Sequence, residues 1–517
     1  MLQRNLLIII GLLVAVLATV QAQAGAPRDT LVIGINTGSF VTFDPSKVNE
    51  KVVGAITKSL YTNLVRLNGK FQAEADAAEK WAMQKDGKSW LFTLRKGMVF
   101  ADGSPLKADE VVYSLRRAMQ VPAPSSFFKI LELTPDGVTK VDEYTVKIVT
   151  NGTPPSVFLG ILAAEPGSIV NPRIVEPNKG KDFGQSYLLD HSAGAGPYVL
   201  KEWRRNIRAV LEANPNYYGK KPALPRVIFQ DIPEATEQFL LLKKGDIDIA
   251  WDLVAEQATA LKDVPDAYLA VTAASGNTYL GMHANWGPFK DVRVRQAVKY
   301  AINYKGIIDR VLNGFALENQ SYIPVGFTGY EDKKPFSPNP ERAKKLLAEA
   351  GYPNGFEVDL TITEHEQRKA TAVVLQDNLA KVGIKVNVVM MQGSQLLAKY
   401  RQQGLNLVVG DWGPSFPDTL NLANAFINYD YGQLAYRVAW NDEKAVKLVK
   451  ASNTEIDEKK RAKTYRELND IFLNTSPFAI LYQPLERWGV RRAVRNVDKA
   501  FEGYIAHFDL TLIAKDN

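Results

Sequence analysis

Two carboxylates and two aromatic rings fall within nine residues, Gly410-Asp411-Trp412-Gly413-Pro414-Ser415-Phe416-Pro417-Asp418. Carboxylates can take ammonium or hydroxyl groups, and rings can cover apolar or sugar faces. Gly and Pro stiffen the backbone that presents them. Either this is a binding loop, or it is a stiff turn with Trp412 packed on a core. Catalytic chemistry is harder to assemble. The four histidines, His191, His283, His365 and His507, form no close pair of the kind that binds zinc. There is no cysteine, hence no thiol nucleophile and no disulfide framework. No nucleophile elbow or phosphate loop occurs. Gly194-Ala195-Gly196 begins like a dinucleotide fingerprint, but Pro197 and Tyr198 follow and the third glycine is absent. No metal or cofactor is expected.

The elements that must position the loop are readable from periodicity. Strand-like and helix-like segments alternate, the pattern of an α/β protein. Leu31 to Asn36 and Trp90 to Leu94 predict strands, with a turn at Ala101-Asp102-Gly103-Ser104. Ala108 to Met119 predicts a helix whose cap position holds Lys107, with Glu110 three residues on. Asp291 and Asn303 are placed to cap two helices, the second ended by Gly314. Asn339-Pro340-Glu341 starts a third, stopped by Gly351. Phe356, Val358, Leu360 and Ile362 alternate with polar residues as in a half-buried strand. A helix from Gln367 to Val382, a strand from Ile384 to Val389, a short helix and a strand from Leu405 to Val409 complete β-α-β-α-β. Ligands of such sheets sit beyond the carboxyl ends of the strands, and the third strand runs directly into the nine-residue loop.

Bulk properties bound the rest. Arg4, the apolar run Leu6 to Val20 and Ala22-Gln23-Ala24 predict a signal peptide over 1–24. With no cysteine to carry a lipid, a soluble periplasmic protein is expected. The formal net charge is +7, but Lys and Arg are spread among acidic residues with no basic block, so nucleic acid is not an expected partner.

Several motifs together resemble one family. Leu94-Arg95-Lys96-Gly97-Met98-Val99-Phe100-Ala101-Asp102-Gly103-Ser104-Pro105-Leu106, then Lys107 to Ala118, resemble a signature of the family 5 extracellular solute-binding proteins, the periplasmic peptide- and nickel-binding proteins of ABC importers. Gly194-Ala195-Gly196-Pro197-Tyr198, Gly245-Asp246-Ile247-Asp248, Phe289 to Val298 and Lys381-Val382-Gly383-Ile384 are similar to further family motifs, in the same order. The resemblance implies a two-lobed type II fold of the large peptide-binding class, with hinged closure on a ligand. Lobe I would span 25–275 with an extra α/β subdomain at about 55–190, lobe II 276–480, and 481–517 would return to lobe I. Crossovers would fall near Ala274 to Thr278 and Phe478 to Gln483. The partners implied are a short peptide or small solute and the permease subunits of the inner membrane. A receptor, a monomer and no enzyme, is the expectation.

The resemblance also marks a departure. Peptide binders of the family carry an amine-binding Asp where this chain has Ser415. A buried ammonium without a carboxylate is costly, and Asp411 and Asp418 stand nearby but not at the matched position. Trp286, Tyr436, Arg437, Trp440, Ser39 and Phe40 are candidates for the remaining pocket, each aromatic either pocket or core. Aromatics around a polar ligand suit a peptide, a sugar conjugate or an opine-like amino-acid derivative.

Overall fold

The computed structural model describes residues 26–38, 40–48, 51–122, 127–502 and 508–516. The expected signal peptide, Ser39 and His507 lie outside the described residues. A twelve-stranded sheet forms the frame. From one edge it runs Ile384–Met391, Phe356–Thr363, Leu407–Trp412, Asn277–Met282, Phe478–Arg491, Ile249–Ala250, Thr30–Ile35, Arg226–Asp231, Arg208–Ala213, Tyr198–Arg204. The strands Ala267–Ala273 and Ala316–Leu317 also pair with Phe478–Arg491.

That 14-residue strand joins the two halves of the molecule. Phe478 to Tyr482 pair with Asn277–Met282, Leu485 to Arg491 with Ala267–Ala273. At the bend between those partners the fully buried Gln483 donates to the Ala274 carbonyl (2.7 Å) and accepts from the Val325 N–H (2.8 Å). One half of the sheet is packed around Leu31, Ile33, Val227, Phe229 and Ile249, the other around Leu280, Val294, Leu360, Leu375 and Val409. The result is a two-lobed α/β fold. A separate four-stranded antiparallel sheet, Ala78–Met83, Ser89–Leu94, Thr145–Val149 and Val138–Asp142, contributes Trp90, Phe92 and Ile148 to a third core. That core continues through the helix Pro155–Leu162 to the helices Thr419–Phe426 and Glu458–Thr475.

Local chemistry explains the elements. Asp291, Asn303 and Asn339 each accept a backbone N–H of their helix, from Arg293, Gly306 and Arg342. Lys107 supplies no side-chain cap; the Glu110 carboxylate instead accepts the Lys107 N–H at 2.9 Å, half of a capping box. The predicted β-α-β-α-β segment is present as Phe356–Thr363, Glu366–Ala380, Ile384–Met391, Gly393–Arg401 and Leu407–Trp412, its strands parallel. The glycines of the Gly194-Ala195-Gly196 run cradle no phosphate. A Cβ on Gly194 would sit 2.1 Å from the Leu60 carbonyl oxygen, and one on Gly196 would sit 2.5 Å from the Leu60 carbonyl carbon. They let the chain cross the end of the helix Lys51–Leu60, where the Gly196 N–H donates to the Leu60 carbonyl.

One boundary bears on the site. The third parallel strand extends to Trp412 rather than ending at Val409, because Asn277–Met282 offers antiparallel partners as far as Trp412↔Asn277 and Asp411↔Thr278. Asp411 and Trp412 are therefore held on a strand, and the loop proper begins at Gly413.

Candidate functional site

Because the strands Phe356–Thr363, Ile384–Met391 and Leu407–Trp412 are parallel, their carboxyl ends open at one edge, beside the bend at Ala274 to Gly276. Strand alternation turns Asp411 to the opposite face from Trp412. The Thr278 hydroxyl donates to Asp411 Oδ1 at 2.5 Å. From the first turn of the helix Glu366–Ala380, the Arg368 guanidinium reaches Asp411 Oδ2 and the Thr363 hydroxyl. The next side chain back, Gln367, donates to the Tyr482 hydroxyl at 3.3 Å. The ion pair is accessible: the Arg368 side chain is 29% and Asp411 49% exposed. Gly276 presses against the strand end, where a Cβ would lie 2.5 Å from the Trp412 carbonyl oxygen.

On the other face of the strand the loop is pinned at three points. The exposed Ser415 donates its N–H to Asn421 Oδ1 (3.3 Å). Phe416, 1% exposed, meets the Phe127 ring edge-on at 5.8 Å. Asp418 caps the helix Thr419–Phe426 through the Leu420 N–H (2.8 Å). Its Oδ1 also takes Arg461 Nη2 at 2.6 Å, and its Oδ2 takes the Ser156 hydroxyl at 2.8 Å. Arg461 is fully buried; its Nη1 lies 2.9 Å from Glu458 and 2.7 Å from Ser156 Oγ, which accepts. Burial alone would lower the Arg461 pKa, but Asp418, Tyr465 and Glu458 hold it above the ordinary guanidinium range. Ser156 on the helix Pro155–Leu162 thus ties the four-stranded-sheet region to the loop.

Trp412 stays at the strand end, and the remaining sequence candidates lie elsewhere. Trp412 is half-buried, edge-on to Phe426 at 5.8 Å. Tyr436, Arg437 and Trp440 belong to a segment whose Val438 carbonyl accepts the Ala284 N–H (2.7 Å), beyond the Met282 end of its strand. Asp411 faces the Asn277 end, about 15–20 Å away for six residues of strand. Tyr436 stacks obliquely on Tyr429, Arg437 lies over the Tyr400 ring, and Trp440 is buried near Phe472. Trp286 stands at that same far end, against Phe289 and Phe356. Phe40 is buried in the other half of the sheet, stacked on Trp203, whose ring also meets Phe43 edge-on. The structure therefore gathers Asp411, Trp412, Ser415, Phe416 and Asp418, and adds Thr278, Arg368, Ser156, Glu458 and Arg461. Arg368 had a signal: it lies in the first helical turn after a strand of a parallel sheet, where ligand-facing residues concentrate. Ser156 and Arg461 had none.

Among the described residues no group of three His, Cys, Asp or Glu side chains could hold a metal ion. Among them, too, no helix is long and apolar enough to cross a membrane.

Residues 72–433 match the bacterial extracellular solute-binding proteins, family 5 (middle region). The chain belongs to that family. The Probable D,D-dipeptide-binding periplasmic protein DdpA of Escherichia coli (strain K12) is 29% identical, over 94% of this chain and 94% of that protein. The solved structure of HbpA2 from Haemophilus parasuis has a TM-score of 0.83 at 25% identity, covering 94% of this chain and all of that one. The binding protein AgaA from Agrobacterium tumefaciens R10, solved with agropinic acid, has a TM-score of 0.73 at 26% identity, covering 94% and 99%. Proteins of this family are binding proteins rather than enzymes, and the chain is a solute-binding protein of an ABC importer.

Proposed function

We propose that the protein captures a peptide or peptide-like solute bearing a carboxylate between its two lobes and hands it to the permease. The observation that carries this reading is the Arg368–Asp411–Thr278 group, an accessible cation at the carboxyl ends of three parallel strands, beside the bend. A guanidinium takes a carboxylate through paired hydrogen bonds. The dipeptide named for DdpA supports a peptide-like ligand. A second reading, an opine or sugar conjugate, is supported by agropinic acid in AgaA and by the uncharged Ser415 on the loop.

On this reading lobe I spans 25–275 and 481–517, with an extra subdomain near 55–190, and lobe II spans 276–480. Closure is driven only by the ligand's greater affinity for the closed form. Residues 1–24 direct export, and the mature chain works in the periplasm as an unlipidated monomer. It binds no nucleic acid and catalyses no reaction. A thermal-shift screen of the mature protein against peptides, opines and sugar conjugates tests this. A true ligand at 100 times its Kd stabilises by about 2.7 kcal/mol. Peptide cleavage with no stabilising ligand would contradict it.

A further inference from the structure

The subdomain near 55–190 is bound to the two lobes unequally. Toward lobe I its ties are buried. Arg117 pairs with Asp44 at 2.6 Å, their side chains 3% and 0% exposed, and the Tyr61 hydroxyl donates to the Phe43 carbonyl at 3.0 Å. Separating a buried ion pair is costly, so this face stays together. Toward lobe II the subdomain reaches with side chains from its surface. The hairpin of Val65–Leu67 and Ala73–Ala75 turns at Asn68, whose Oδ1 accepts the N–H groups of Lys70 (2.9 Å) and Gln72 (3.0 Å). That turn holds Phe71 at φ 61°, a left-handed conformation rare for a bulky residue, with its ring 5.1 Å from Phe327 of lobe II. Ser156, exposed on the helix Pro155–Leu162, gives its one proton to Asp418 (2.8 Å) or Glu458 (2.9 Å) and accepts from Arg461 (2.7 Å). The Phe127 ring on Phe416 crosses the same boundary.

We propose that Phe71 and Ser156 form a latch by which the subdomain holds the two lobes closed, a role separate from solute recognition. This rests on the lobe division given above. Left-handed backbone at a bulky residue persists where other contacts offset it, and the Phe71 ring meets the other lobe. Ser156 docks on a charged group that is already complete within lobe II, since Asp418 and Glu458 share Arg461 without it. On opening, water replaces the Ser156 hydroxyl and the ion pairs stay made, so the contact can break and reform. Because the latch acts on closure, it scales the affinity for every solute by the same factor.

Spin labels at Lys70→Cys and Lys463→Cys, both exposed and in a chain with no cysteine of its own, report closure of the mature protein as a distance. With no solute added, the otherwise native protein is expected to show a short distance as its main component. Phe71→Gly should lower the ratio of short to long distances ~10-fold, the scale of one ring pair. Glycine accepts φ 61°, so this variant keeps its fold, checked by circular dichroism. Ser156→Asp, which sets a third carboxylate beside Asp418 and Glu458, should open the lobes by a different route and at least as far. An unchanged distance distribution in either folded variant overturns the latch, as does a native distribution with only the long component. Neither result touches the capture reading, which falls if no solute stabilises the protein in the thermal-shift screen.

Discussion

Arg461 carries two carboxylates in a fully buried position, and its loss would leave Asp418 as an uncompensated charge at 6% exposure. Arg461→Met is therefore expected to destabilise the protein by about 3–5 kcal/mol, read from urea unfolding. A change below about 1 kcal/mol would mean that the pair is matched by solvent. Lys299 sets a second residue-scale expectation. Its ammonium donates to the Leu473 carbonyl at 2.9 Å, near the end of the helix Glu458–Thr475. Burial, with Arg295 acting in the same direction, pushes its pKa down to about 7 from 10.5. The folded value lies below the unfolded one, so between those limits the unfolded chain binds the extra proton. Stability from this group thus rises with pH across the window, by at most about 1.4 kcal/mol per unit, and is lowest below pH 7. Lys299→Met should flatten the profile measured from pH 7 to 10; parallel profiles for the two proteins would refute the assignment. Caps such as Asp291, Asn303 and Asn339 were legible as residues because their partners are two or three positions away. Arg461 and Ser156, 305 residues apart, were not.

The strands and helices decide which of the candidate residues can meet. Trp286 and Tyr436 looked as suitable as Asp411 by type, yet they sit at the opposite end of the same strand pair. Only the antiparallel register Asn277↔Trp412 and Met282↔Leu407 distinguishes the two ends. That register also carried the third strand past its expected stop. Gly276 marks the point where the bend meets the strand end, and Gly276→Ala would drive a Cβ against the Trp412 carbonyl. The expected outcome is at least ~10-fold weaker solute binding, measured by calorimetry, because the clash displaces the strand that holds Asp411. Unchanged affinity would show that the bend and the site move independently. A different element-scale clamp fixes the C-terminus: Lys515, 4% exposed, pairs with the buried Asp248 at 3.0 Å and donates to the Pro27 and Thr30 carbonyls. Lys515→Met should cost about 3–5 kcal/mol in urea unfolding, since it leaves the Asp248 carboxylate without its cation. Loss of less than 1 kcal/mol would remove the clamp from the account.

At the scale of the whole molecule, the β-α-β-α-β half was readable because its contacts follow chain order. The long strand Phe478–Arg491 was not, since its partners lie some 200 residues earlier and its two ends serve different halves. The resemblance marked Phe478 to Gln483 only as a crossover; that one strand would run unbroken to Arg491 was not visible. Glycine motifs that composition alone left ambiguous took their meaning from close packing, as Gly194 and Gly196 do over Leu60. The proposed site is the loop after Trp412 together with the Arg368 guanidinium, at the end of the strand where the two halves of the sheet meet. The most direct test is calorimetry of the mature protein and its Arg368→Gln variant against the same carboxylate-bearing peptides and peptide-like solutes, with thermal unfolding as the control. The account predicts saturable 1:1 binding by the native protein, weakened ~100-fold in a variant of equal thermal stability. Saturable binding that is indifferent to Arg368, in a folded variant, would contradict it.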